Sequence, residues 1–139
     1  IAGLSDEIKV LALEYKEEAI SLITQNKEKF ELNNIEIVSG TAPDALENLP
    51  VPTHAFIGGS GGKMKEILSA LYQKNPHMRV VINAISMETI CEIKEVLSTF
   101  SIQNADVVQM QVSRAKRVGA YHLMQAENPV WICSFDFSG

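Results

Sequence analysis

The chain has 139 residues, of which 46% are hydrophobic and 21% charged, and a net charge of −5. That balance belongs to a folded domain with a real core and excludes a disordered or low-complexity polymer. The acidic field disfavours nucleic-acid binding, and no apolar run approaches the roughly eighteen residues a membrane span needs.

The two distant cysteines, Cys91 and Cys133, read as small core residues of a reducing cytoplasm, and they form no close ligand pair with the three histidines that would hold zinc. No repeat or linker interrupts the chain, so one domain over residues 1–139 is expected.

Lys9 to Glu14 is an apolar run ending in an acid, short enough for a strand buried on both faces. Lys16 to Phe30 follows as a helix, with Ala19, Leu22, Ile23, Asn26 and Phe30 at helical spacing and Glu17 and Glu18 in its first turn. Ile35 to Val38 is the second strand, closed by Ser39-Gly40, and a short helix spans Asp44 to Leu49 after Pro43. His54 to Ile57 is a strand that runs into glycines. The helix from about Gly62 to Lys74 follows, with Ser60 as its expected N-cap and Met64, Ile67, Leu68 and Leu71 as its buried stripe. Arg79 to Ala84 is the next buried strand, and Ser86 caps a helix carrying Ile90, Cys91, Ile93 and Leu97. Strand and helix thus alternate four times, which predicts an α/β fold with a mostly parallel sheet. After Phe100 the pattern becomes strand only: Ala105 to Ser113 alternates, Arg114 to Gly119 forms a basic loop, and Tyr121 to Met124 and Val130 to Phe135 complete an antiparallel C-terminal region.

Half of the chain's eight glycines lie between His54 and Lys63. Clustered glycines let a ligand approach the main chain, so the stretch is a candidate binding site, with a supple strand-to-helix turn as the plainer alternative. It fits neither common phosphate motif. Gly58 stands one residue too close to Gly62-Lys63 for a P-loop, and Met64 replaces both the magnesium-binding hydroxyl and the last glycine of a dinucleotide fingerprint. Glu14 occupies the strand-end position where nucleotide-binding folds place a carboxylate for a ribose diol, although a solvated strand-end acid would look the same. Gly40-Thr41-Ala42-Pro43 stands at another strand end, where backbone edges an adenine or simply starts a helix. Arg114, Lys116 and Arg117 suit a polyanionic partner or a solvated hairpin tip.

Several stretches together carry a resemblance: Lys9 to Tyr15, the Ala19–Phe30 helix with Asn26, Gly40-Thr41-Ala42-Pro43, Pro52 to Gly62, Arg79 to Ala84, and Tyr121 to Met124 closing on Asn128-Pro129-Val130-Trp131-Ile132. Over nearly all 139 residues the chain resembles the decarboxylating precorrin (precorrin-6Y or cobalt-precorrin) methyltransferases of cobalamin biosynthesis, a type that also forms the C-terminal half of a larger enzyme. The resemblance implies a Rossmann-like class I methyltransferase using S-adenosylmethionine. It would methylate a corrin precursor at the fifteenth ring carbon, with loss of carbon dioxide from a ring acetate. It implies that Glu14 and Tyr15 bind the ribose end of the cofactor, Thr41 and Ala42 border the adenine, and Gly58 lies beside the methyl. Gly59, Ser60, Gly61 and Arg114 would face the macrocycle. It also implies a homotetramer built through the last strands; the composition adds the expectation of a cytoplasmic protein with neither nucleic acid nor membrane as partner. The family's first strand and glycine-rich methionine-binding loop should precede Ile1, and Ile1 to Leu4 looks like the tail of the following helix. That strand would stand at the sheet's centre, between the strand of Glu14 and that of Phe56. The expected domain is therefore N-terminally incomplete, and a noncatalytic assembly module or a generic nucleotide-binding module is the competing reading.

Overall fold

A computed structural model describes residues 1–139, which form two compact units, Ile1–Leu49 and Pro50–Gly139.

In the first unit a 3-10 turn, Ala2–Leu4, precedes strand β1 (Val10–Glu14), helix α1 (Glu17–Lys29) and strand β2 (Ile35–Ser39). β1 and β2 pair in parallel from Val10 opposite Ile35 to Glu14 opposite Ser39. Asn34 closes the lower end: its Nδ2 donates to the carbonyls of Ala2, Ser5 and Ile8 at 2.8–3.0 Å. The expected helix over Asp44–Leu49 is instead a 3-10 turn, Asp44–Leu46, because a segment this short closes i to i+3 bonds more readily than a full α-turn. Ala2 is the one buried hydrophobic residue of this unit, and on α1 Leu22 and Phe30 are 59% and 62% exposed. The helical spacing of this segment does form α1, yet no residue of the helix is buried.

The second unit holds β3 (His54–Ile57), α2 (Met64–Lys74), β4 (Arg79–Ala84), α3 (Met87–Thr99), β5 (Ile102–Met110), β6 (Ser113–Val118), β7 (Tyr121–Ala126) and β8 (Val130–Phe137). Its four-stranded sheet runs β3-β4-β8-β5, with β3 and β4 parallel and β8 antiparallel to both its neighbours. Alternate residues Val80, Ile82 and Ala84 of β4, and Cys133, Phe135 and Phe137 of β8, are buried with Met64, Ile67, Leu68 and Leu71 of α2 and Ile93 and Val96 of α3. This is the core, and Tyr72 meets the Phe137 ring edge-on at 5.1 Å between centroids. A register shift in β5 between Gln103 and Asp106 is accompanied by Asn104 at φ +52°. Asn104 Nδ2 donates to Asp136 Oδ2 at 2.7 Å, and Arg79 Nη1 donates to Asp136 Oδ1 at 3.0 Å. Those bonds hold the Asp136 carboxyl below the ordinary range, the Asn104 bond first and the Arg79 bond second.

Three expectations are corrected here. Arg114–Gly119 is no loop: Ser113–Val118 is a strand that pairs with Tyr121–Ala126 across the Gly119-Ala120 turn, where Gly119 has φ +61°, as a two-residue hairpin requires. The strand expected at Ala105–Ser113 begins and ends three residues earlier, because Ile102 pairs with Phe137 and Met110 with Val130. Cys91 is exposed on α3, while Cys133 is buried as expected.

Gly40 shows how tightly the turn after β2 is packed, since a Cβ there would stand 2.8 Å from the Ala45 Cβ. Gly40→Ala should destabilise the first unit by about 1–3 kcal/mol, seen as faster amide exchange in β1 and β2 than in β4 and β8. Equal protection before and after the change would show that the turn yields freely.

Candidate functional site

In the first unit the carboxyl ends of β1 and β2 bring four of the expected residues into one neighbourhood. The Gly40 N–H donates to the Glu14 carbonyl at 3.0 Å, continuing the ladder past Ser39 and placing Thr41 and Ala42 directly after the strand end that carries Glu14. Thr41 is exposed, and its carbonyl accepts from the Ala45 N–H at 2.9 Å. Glu14 turns back on its own chain: Oε1 accepts from the Tyr15 N–H at 2.9 Å and the Lys16 N–H at 3.0 Å. The bond from Lys16 and then that from Tyr15 lower the pKa of this carboxyl. Oε2 has no protein partner, so an ionised oxygen remains for two hydroxyl donors. Tyr15 is exposed, with Lys16 Nζ 5.8 Å from its ring centroid.

In the second unit the chain leaves β3 through Gly58 to Gly62. Gly61 and Gly62 adopt φ +58° and +80°, the left-handed region that other residues enter only at a cost. A Cβ built at Gly59, Gly61 or Gly62 would meet nothing within 4 Å. The turn is therefore open on its outer side, and its glycines leave backbone rather than side chains facing solvent. Ser60 does not cap α2 as expected: the cap position is Lys63 and carries no side-chain bond. Instead Ser60 Oγ accepts from the Gly62 N–H at 3.3 Å and donates to Glu92 Oε2 at 2.8 Å. Glu92 was missed in the sequence, where nothing but its fold partner separates it from Glu88 and Glu95 on the same helix. Ser86, by contrast, caps α3 as expected, accepting from the Thr89 N–H at 3.2 Å.

Arg114 lies on β6, where its Nε donates to Glu127 Oε1 at 2.6 Å. Lys116 and Arg117 share that exposed strand, with Arg117 opposite His122 in the β6–β7 register. The hairpin pairs with neither of the other sheets.

The lowered pKa of Glu14 fixes a pH dependence. Because its native value lies below its unfolded one, the ionised group adds stability above the unfolded value, and this is lost as pH falls through the native one. A carboxyl-carbon titration by NMR should place the Glu14 midpoint below the ordinary glutamate value, and Glu14→Gln should flatten that part of the acid limb. A midpoint at or above the ordinary value would refute the two backbone bonds as its cause.

Comparison with known proteins agrees with this architecture. The family model described as precorrin methyltransferase domain matches residues 4–136. A probable cobalt-precorrin-6B C(15)-methyltransferase (decarboxylating) from Pyrobaculum calidifontis is 33% identical over 125 residues, covering 89% of this chain. The chain spans 64% of that relative's length. The crystal structure of precorrin-6y C5,15-methyltransferase from Geobacter metallireducens superposes with a TM-score of 0.86 at 29% identity, over 97% of this chain and 71% of that one. A precorrin-8W decarboxylase from Methanobacterium thermoautotrophicum superposes with a TM-score of 0.78 at 31% identity, over 91% and 68%. The fold is thus the Rossmann-like α/β architecture of the methyltransferases, ending in antiparallel strands as expected. A match of this length, with relatives of this similarity, establishes that the chain belongs to the precorrin methyltransferase domain family.

Proposed function

We propose that this chain forms the methyl-transferring domain of a decarboxylating precorrin methyltransferase. In this reading it moves a methyl group from S-adenosylmethionine to the fifteenth ring carbon of a cobalt-precorrin-6B-type substrate, with loss of carbon dioxide from a ring acetate, in cobalamin biosynthesis. The observation that carries the reading is the open glycine turn after β3, with free space at Gly59, in a chain whose relatives bear that activity in their names.

The residues present fit the cofactor. Glu14 offers the unpartnered Oε2 to the ribose hydroxyls, and Tyr15 stands beside it. Thr41 and Ala42 border the adenine from the end of β2. The cofactor supplies a methyl group already activated on a sulfonium, so the protein's task is alignment more than proton transfer. Gly59, Ser60 and Gly61 leave room for a flat macrocycle, while Arg114 and its basic neighbours meet the carboxylates at its rim.

The edge of β1 away from β2 carries no strand, and the first unit buries little. The exposed hairpin supports assembly into a homotetramer through it: Tyr121 and Met124 are 74% and 69% exposed, with Val118 and Leu123 also open, and a two-stranded hairpin is marginal alone. The same thin first unit is what would favour the noncatalytic reading of this polypeptide.

Calorimetry with S-adenosylhomocysteine on the 139-residue polypeptide and on the full-length protein separates these readings. Binding by the full-length protein supports the proposal, binding by it alone makes this polypeptide cofactor-incompetent, and binding by neither overturns the methyltransferase reading. Gly59→Phe in the full-length protein should keep the melting temperature, because nothing lies within 4 Å, yet reduce turnover at least about a hundredfold by misplacing the acceptor. Unchanged turnover would put the macrocycle elsewhere. Light scattering should report a tetramer that Tyr121→Asp with Leu123→Asp converts to smaller species; an unaltered mass would exclude the hairpin from the interface.

A further inference from the structure

Five consecutive residues, Gly58 to Gly62, form the turn after β3, and Ser60 supplies its only side chain. Two of the glycines hold left-handed backbone without any neighbour within 4 Å of the Cβ position. Packing therefore cannot hold this stretch in one conformation, and glycine loses more freedom on ordering than any other residue. Polar bonds must do it, and the structure has three. The Gly62 N–H donates to Ser60 Oγ at 3.3 Å, the Lys63 N–H donates to the Ser60 carbonyl at 3.0 Å, and Ser60 Oγ donates to Glu92 Oε2 at 2.8 Å. The last is the one that leaves the turn. It reaches across thirty-two positions to α3, a helix fixed to the core through Ile93 and Val96. Glu92 also lines, with Gly62 and Met64, a cleft of about 210 Å³ between α2 and α3.

We propose that Glu92 is a positioning residue of the methyl-transfer site: by taking the Ser60 hydroxyl proton in a hydrogen bond, it locks the glycine turn to α3 in the shape that receives the macrocycle. This rests on the assignment of the turn to that site. It also refines the role of Ser60. With its proton committed to Glu92 and one lone pair to Gly62, the hydroxyl is a strut of the turn and not a donor to the substrate.

Amide exchange at Gly62 and Lys63 in the full-length protein tests the lock without any ligand. Glu92→Ala and Ser60→Ala should each speed exchange there by about three- to tenfold, the double variant should do no more than either alone, and Glu92→Gln, whose amide oxygen still accepts, should restore protection. Ser60→Ala, which deletes one hydroxyl, carries the test if Glu92→Ala folds poorly. With S-adenosylmethionine as methyl donor, steady-state turnover of the precorrin substrate should show Glu92→Ala and Ser60→Ala lowering kcat alike, with KM changed by less, and Glu92→Gln recovering it. Unchanged exchange in Glu92→Ala, additive effects in the double variant, or a loss confined to Ser60→Ala would overturn the proposal, the last by showing that Ser60 touches substrate itself. If exchange follows the expected pattern while the wild-type protein binds no S-adenosylhomocysteine, the methyltransferase assignment and Glu92's role in it fall, and only the structural lock stands.

Discussion

Parallel strands cannot be joined by a tight turn, and the two βαβ units of this structure follow from that constraint. A chain that leaves β1 must travel back along the sheet before it can enter β2, and it does so as α1. The same requirement places α2 between β3 and β4. In each pair the two strands therefore end on the same side, and the segments after them escape the regular ladder. In the first unit this makes Glu14 and Gly40 neighbours, joined by a backbone bond. In the second it leaves the glycine turn at the end of β3, in a region where main-chain groups are open to a ligand.

Two polar side chains organise these ends by opposite means. Glu14 uses one oxygen to accept from the backbone that follows it, which fixes the carboxylate, keeps it ionised and leaves the other oxygen available. Ser60 donates a hydrogen bond to Glu92, which fixes the turn and leaves the surrounding glycines open. Both arrangements order the groups before a ligand arrives, so the entropic cost of ordering does not fall on binding.

Burial is distributed unevenly. In the second unit α2 and α3 cover one face of the sheet, and alternate residues of β4 and β8 disappear from solvent. The first unit has a two-stranded sheet and one helix with no buried residue, and β6 and β7 are exposed along their whole length. An area of apolar surface left in water contributes nothing to stability, so these parts of the chain are the ones whose stability most depends on what else they pair with.

Much of this was legible in the sequence because it is local. The spacing of Met64, Ile67, Leu68 and Leu71 sufficed to name the buried stripe of α2, Ser86 sufficed to start α3, and an acid ending an apolar run marked Glu14. Asn128-Pro129 and the glycine stretch, taken with the other motifs, sufficed for the family. Other features depended on partners distant in the chain. Arg114–Gly119 is polar and basic enough to read as a loop, and becomes a strand only because Tyr121–Ala126 supplies its ladder. Leu22 and Phe30 have helical spacing, but spacing cannot say whether anything covers them. Ser60 looked like a cap for the helix beside it, and its hydroxyl went to a glutamate thirty-two residues away. The sequence by itself determined which segments become strands and helices in the alternating part of the chain, since periodicity and capping act within a few residues. Tertiary structure alone decided what the glycine turn is tied to, because a hydrogen bond between two side chains requires the fold to bring them within 3 Å.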